Sequence, residues 1–118
     1  SAGANLWPEI SRRPALMQRF ELGQRERIGA WTADDAAFRR NRDALAREAQ
    51  IWRVLAQVIG ADGYDYADDE LYQQYLAEFA EACAALEAAC DADDPAGAQA
   101  AEAAIRKSCA ACHADYRG

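Results

Sequence analysis

The sequence predicts an all-α protein, an antiparallel up-down-up-down four-helix bundle, and three observations carry that prediction. Apolar residues recur every three or four positions and almost never alternate, which is the period of a helix and not of a strand. Proline, glycine and clustered aspartates cut the chain into four segments joined by short connections. The chain has 118 residues, 52% apolar and 28% charged, enough for one domain with a single modest core and too apolar for a disordered tail. Segments of roughly 20 residues, each with one apolar face and a short link to the next, pack most simply as antiparallel neighbours.

The first helix opens at Pro8 or at Pro14, proline being at home in a first turn, and runs toward Trp31 with Leu16, Met17, Phe20 and Ile28 on one broad face. Thr32 is the expected N-cap of the second, with Asp34 and Asp35 in its first turn, where they complement the helix dipole. Phe38, Leu45, Trp52 and Ile59 then repeat every seven residues, with Ile51, Leu55 and Val58 beside them, so this helix is expected from about 33 to 59. Gly60-Ala61-Asp62-Gly63 ends it. After Asp68 and Asp69 the third helix carries Leu71, Tyr75, Phe79, Cys83, Leu86 and Cys90 as one stripe. Asp93 or Asp94, followed by Pro95, caps a last helix that presents Ile105, Cys109, Cys112 and Tyr116 on one side and reaches the chain end.

Acidic side chains outnumber basic ones 20 to 13, a net charge of −7 that is the wrong sign for a phosphate backbone, so nucleic acid is not an expected partner. No apolar run approaches the roughly 20 residues of a membrane span, and no membrane insertion is expected. With one histidine and one lysine, acid-base catalysis is short of parts, and no nucleotide-loop, hydrolase-elbow or zincin motif occurs. The expectation is a protein that is not an enzyme.

Chemistry is concentrated in Cys109-Ala110-Ala111-Cys112-His113, a C-x-x-C-H spacing that reads as covalent attachment of one c-type haem. On a helix, positions i, i+3 and i+4 share one face, so both thiols and the imidazole can meet a single planar ligand. The sulfurs can form thioethers to the porphyrin vinyl groups while the His113 imidazole coordinates the iron. A thioredoxin-like pair belongs at a strand-to-helix junction, which an all-α chain does not offer. A zinc site from the four cysteines would need closer spacing than the seven residues between Cys83 and Cys90 and would leave His113 without a role.

With its C-x-x-C-H close to the C-terminus of a helical chain, the sequence resembles the class II c-type cytochromes, the cytochrome c′ family. Tyr116-Arg117 after the motif and Arg13-Pro14-Ala15-Leu16-Met17 in the first helix, similar to the family's Arg-x-x-Leu-Met segment, carry the rest of the likeness. Pro14, the pair Cys83 and Cys90, and a loop from Tyr64 to Asp69 without a Pro-x-x-Trp segment depart from the family pattern. The resemblance implies a four-helix bundle around haem c, an exported periplasmic chain whose signal has been removed, and two functional alternatives.

Those alternatives turn on the sixth position of the iron. Met17 is the only methionine, and its thioether is a soft ligand that raises the reduction potential and suits electron transfer. Without that bond, Leu16, Met17 and Phe20 would leave a five-coordinate iron under an apolar wall, open to nitric oxide or carbon monoxide as a gas sink or sensor. Arg13 and Arg117, with Tyr116, are implied near the haem edge, where a guanidinium can pair with a propionate. Trp7, Trp31 and Trp52 are expected to pack between helices. The acidic surface suits a basic redox partner protein, and an outer helix face is available for pairing two copies as a homodimer. Cys83 and Cys90, if both helical, stand about 10 Å apart, beyond disulfide reach, and read as two buried small apolar residues.

Overall fold

The computed structural model describes residues 24–61 and 69–115, which form helices and short connections with no strand among them. A π-helical turn, Gln24–Ile28, runs directly into α1, Gly29–Trp31; α2 is Asp35–Arg40, α3 Arg42–Ile59, α4 Glu70–Asp91 and α5 Pro95–Asp115. Pro8, Pro14 and Trp7, which bear on the start of the first helix, lie outside the described residues.

The wider π-turn brings the carbonyl five residues back over position 29, and a Cβ there would sit 2.7 Å from the Gln24 carbonyl oxygen. Glycine is the residue that position admits. Thr32 does not cap the next helix as its residue type suggested: its hydroxyl donates back to the Ile28 carbonyl at 2.7 Å and closes α1. Asp34 is the cap instead, in extended backbone, its carboxylate accepting from the Ala37 N–H at 2.8 Å.

The helix expected from 33 to 59 is two helices. At Asn41 the backbone leaves the helical region (φ −115°, ψ 15°), its N–H is shared between the Ala37 and Phe38 carbonyls, and its side-chain amide donates to Ala37 at 2.9 Å. The Asn41 carbonyl then accepts from Leu45 and starts α3. The heptad crosses this break in phase, so Phe38, Leu45 and Trp52 are all core residues. Ile51, expected beside them, is 39% exposed.

Asp69 opens α4 by accepting from the N–H groups of Leu71 and Tyr72 at 2.9 and 3.3 Å. Phe79, Cys83, Leu86 and Cys90 face inward as the stripe predicts, but its first member does not: Leu71 is exposed and Tyr72 is fully buried in its place. Starting from the Asp69 cap, Tyr72, Phe79 and Leu86 form the seven-residue seam, and Leu71 falls outside it. The helix ends in a Schellman turn, with Asp93 in the left-handed region (φ 52°), its N–H bonded to the Cys90 carbonyl and that of Asp94 to the Ala89 carbonyl. Aspartate tolerates that conformation better than most residues, and the Arg39 and Arg42 guanidiniums lie 3.6 and 3.3 Å from its carboxylate.

Asp94 is the cap of α5, accepting from the Gly97 N–H at 3.0 Å, with Pro95 as the first helical residue. Along α5, Ala98, Ala101, Ile105, Ser108 and Cys112 are buried at alternating steps of three and four. The small alanines let α4 approach closely.

Helix α4 packs against both α3 and α5. Trp52 stacks on Phe79 with ring centres 5.9 Å apart, the Arg53 guanidinium holds both Glu87 oxygens at 2.9 and 3.1 Å, and the Gln73 amide donates to the Gly60 carbonyl. Near the α4–α5 turn, a Cβ on Gly97 would touch Ala89 at 3.4 Å, and further out the Ser108 hydroxyl reaches the Tyr75 carbonyl at 3.5 Å. As α5 advances, its partners on α4 recede. The π-turn and α1 are tied in by buried Ile28 and by Arg27, whose Nη1 lies 3.2 Å from both Glu48 oxygens. Glu48, itself buried, also accepts from Trp52 Nε1 at 3.0 Å. Gln24 donates to Glu102 of α5, which Arg106 grips at 3.0 and 3.1 Å.

Candidate functional site

The C-x-x-C-H segment occupies the last turns of α5, a helix of 21 residues that opens on an Asp-Pro cap and continues without a break. Its thiols belong to the inward seam of that helix. Cys112 is buried and Cys109 half-buried against the core, one turn before it. His113 follows in the same helix, and its side chain lies outside the described residues. Helical spacing puts positions 109, 112 and 113 on one face.

Burial sets the state of these thiols. Cys109 is pushed up to about 11, first by desolvation and then by the neighbouring Cys112. At neutral pH its sulfur therefore carries a proton. Cys83, fully buried on α4, is pushed up to about 12, chiefly by burial and then by Cys109 and Glu87, with Arg53 opposing. Burial likewise lifts Cys90 to about 11, with Asp91 adding to the rise and Arg42 opposing it. No disulfide joins any of the four. Both Cys83 and Cys90 lie within α4, seven residues apart, so a helical rise of about 1.5 Å per residue separates them by about 10 Å and no bridge between them can close. They are core residues, as their place on the stripe predicts.

Among the described residues no group of three or more His, Cys, Asp or Glu side chains is placed to hold a metal ion, and no helix is long and apolar enough to cross a membrane. Arg13, Leu16, Met17 and Phe20, expected on the first helix, and Tyr116 and Arg117, expected after the motif, lie outside the described residues. The structure brings two further side chains to the same end of the molecule. Tyr72 and Tyr75 stand on the first turns of α4, beside the last turns of α5. Tyr75 was legible as a stripe residue, whereas only the pairing of α4 with α5 brings Tyr72 to the motif.

Thioether formation adds each S–H across a vinyl group without oxidant or reductant, and it needs thiols that are not bridged, as is true of Cys109 and Cys112 on the inward seam of α5. No protein-family model matches this chain, and searches of curated proteins and of solved structures find no match for it.

Proposed function

We propose that this chain is a periplasmic class II type c-type haem protein that carries single electrons, built as an up-down-up-down four-helix bundle. Cys109 and Cys112 would anchor one haem c, and His113 and Met17 would supply the ligands to its iron. The observation that carries the reading is the C-x-x-C-H spacing with both of its thiols on the buried seam of one long helix. Bound there, the haem supplies a one-electron couple at its iron.

The chain's own residues set the terms of that couple. Two sulfur anchors make loss of the cofactor a covalent event, and the inward seam keeps bulk water from the proximal face. The Met17 thioether, soft and neutral, favours the ferrous state and raises the potential. By the resemblance, Leu16 and Phe20 would add apolar side chains to the haem pocket, and Arg13, Tyr116 and Arg117 would serve its edge, a guanidinium pairing with a propionate. The net charge of −7 favours a basic redox partner, through an attraction that salt weakens. Contacts that run in opposite senses along α4 and α5 support the bundle topology.

The test is the ferric spin state of the haem-loaded protein. Low-spin iron that becomes high-spin in Met17→Ala is expected. High-spin iron in the unaltered protein would overturn the electron-carrier reading in favour of a five-coordinate, gas-binding protein.

A further inference from the structure

Tyr72 is the third residue after the Asp69 cap, to which it donates its own N–H, and it is fully buried although it stands on the first turn of α4. Helix α3 ends at Ile59, and the Gly60 that follows it already lies beside Gln73 and Leu76. The register of α4 against α5 gives Tyr72 its neighbours. Ser108 meets Tyr75, so three residues back along α4 and three forward along α5 bring Tyr72 level with Ala111. Cys112 is one further rise of about 1.5 Å away. Both Tyr72 and Cys112 belong to the same buried cluster, while Leu71 beside Tyr72 is 44% exposed. An aromatic ring on the inward seam of α4 thus stands level with the second thiol of the attachment motif on the inward seam of α5.

We propose that Tyr72 is a haem-contact residue, its ring forming the α4 wall of the crevice beside the Cys112 thioether. This rests on the haem reading above. A flat, rigid ring offers a large apolar surface at small entropic cost and packs well against another π-system. Placed next to the anchor, it excludes water from that side of the macrocycle.

The test is proton NMR on the haem-loaded protein in its ferrous carbon monoxide complex, which is diamagnetic whichever sixth ligand the native state uses. A porphyrin ring current moves protons held against its face far from their ordinary positions. The Tyr72 ring signals, identified by their loss in Tyr72→Phe, are expected well outside the normal tyrosine range. If Tyr72→Phe does not fold, the same signals are assigned by elimination, with Tyr→Phe changes at the other four tyrosines. Haem-loaded protein with Tyr72 signals at ordinary positions overturns this inference and leaves the proposed function intact. Protein that accepts no haem overturns both.

Discussion

Removing the Glu48 carboxylate tests how the core is held more sharply than any apolar truncation. Glu48 accepts from Trp52 Nε1 at 3.0 Å and lies 3.2 Å from Arg27 Nη1 through each oxygen, with its side chain 7% exposed. In Glu48→Ala the indole N–H stays buried against Phe79 and loses its acceptor, a cost of about 1–3 kcal/mol. Arg27 is 40% exposed and can rehydrate, so its share is discounted to about 0–1 kcal/mol. The sum is roughly 1–4 kcal/mol, which at about 4 °C per kcal/mol for a chain of this size is a fall in Tm of roughly 4–16 °C. Glu48→Gln keeps an oxygen for the indole and loses only the charge, so it should cost no more than about 1 kcal/mol. Arg53–Glu87 supplies the comparison: it is a better-formed pair by distance but sits at the surface, and Glu87→Ala should cost about 0–1 kcal/mol. Urea unfolding followed by far-ultraviolet circular dichroism, which a haem does not quench, reads all three. A Glu48→Ala cost no larger than that of Glu87→Ala would refute the reasoning.

Three further outcomes are expected. Asp94→Ala removes the acceptor for the Gly97 N–H at the start of the motif-bearing helix and should lower stability by about 1 kcal/mol in the same unfolding assay, with Asp94→Asn close to neutral. Asp93→Asn keeps a residue that tolerates φ 52° and loses the ion pairs to Arg39 and Arg42, so its cost should stay below about 1 kcal/mol and shrink in high salt, whereas Asp93→Val should cost more at any salt concentration. The thiols bear on alkaline stability in the haem-free chain. Cys83, Cys90 and Cys109 keep their protons to about 12, 11 and 11 when folded, but ionise near 9.0 when unfolded. Their contribution is therefore fully present below pH 9 and is lost as pH rises from there toward 11 and 12, by up to about 1.4 kcal/mol per thiol per pH unit. Unfolding midpoints measured from pH 8 to 10.5 check this, and Cys83→Ala should flatten the decline.

What was legible in the sequence was what is local. Asp69 and Asp94-Pro95 mark helix starts because a cap acts within three residues, and the heptad Phe38, Leu45, Trp52 marks a buried seam because periodicity needs no knowledge of the partner helix. Asn41 was not legible as a break, since the apolar phase continues across it and the asparagine satisfies the interrupted backbone with its own amide. Thr32 and Asp34 are both good cap types two residues apart, and only the backbone decides that one closes a helix and the other opens the next. Leu71 and Tyr72 compete for the inward place at a helix start, where a one-residue shift rotates the face by about 100°. In the candidate site, Cys109 and Cys112 declare themselves by spacing. The place of Tyr72 depends on the register of two helices 33 residues apart at their Ser108–Tyr75 contact, which no local pattern contains.

The central claim is tested most directly by the intact mass of the chain after expression in a periplasm with a working c-type maturation system. The mass should exceed that of the polypeptide by one haem, stay so after denaturation, and fall to the bare chain when Cys109 and Cys112 are both replaced by alanine. A colourless protein with the bare mass under those conditions would contradict it.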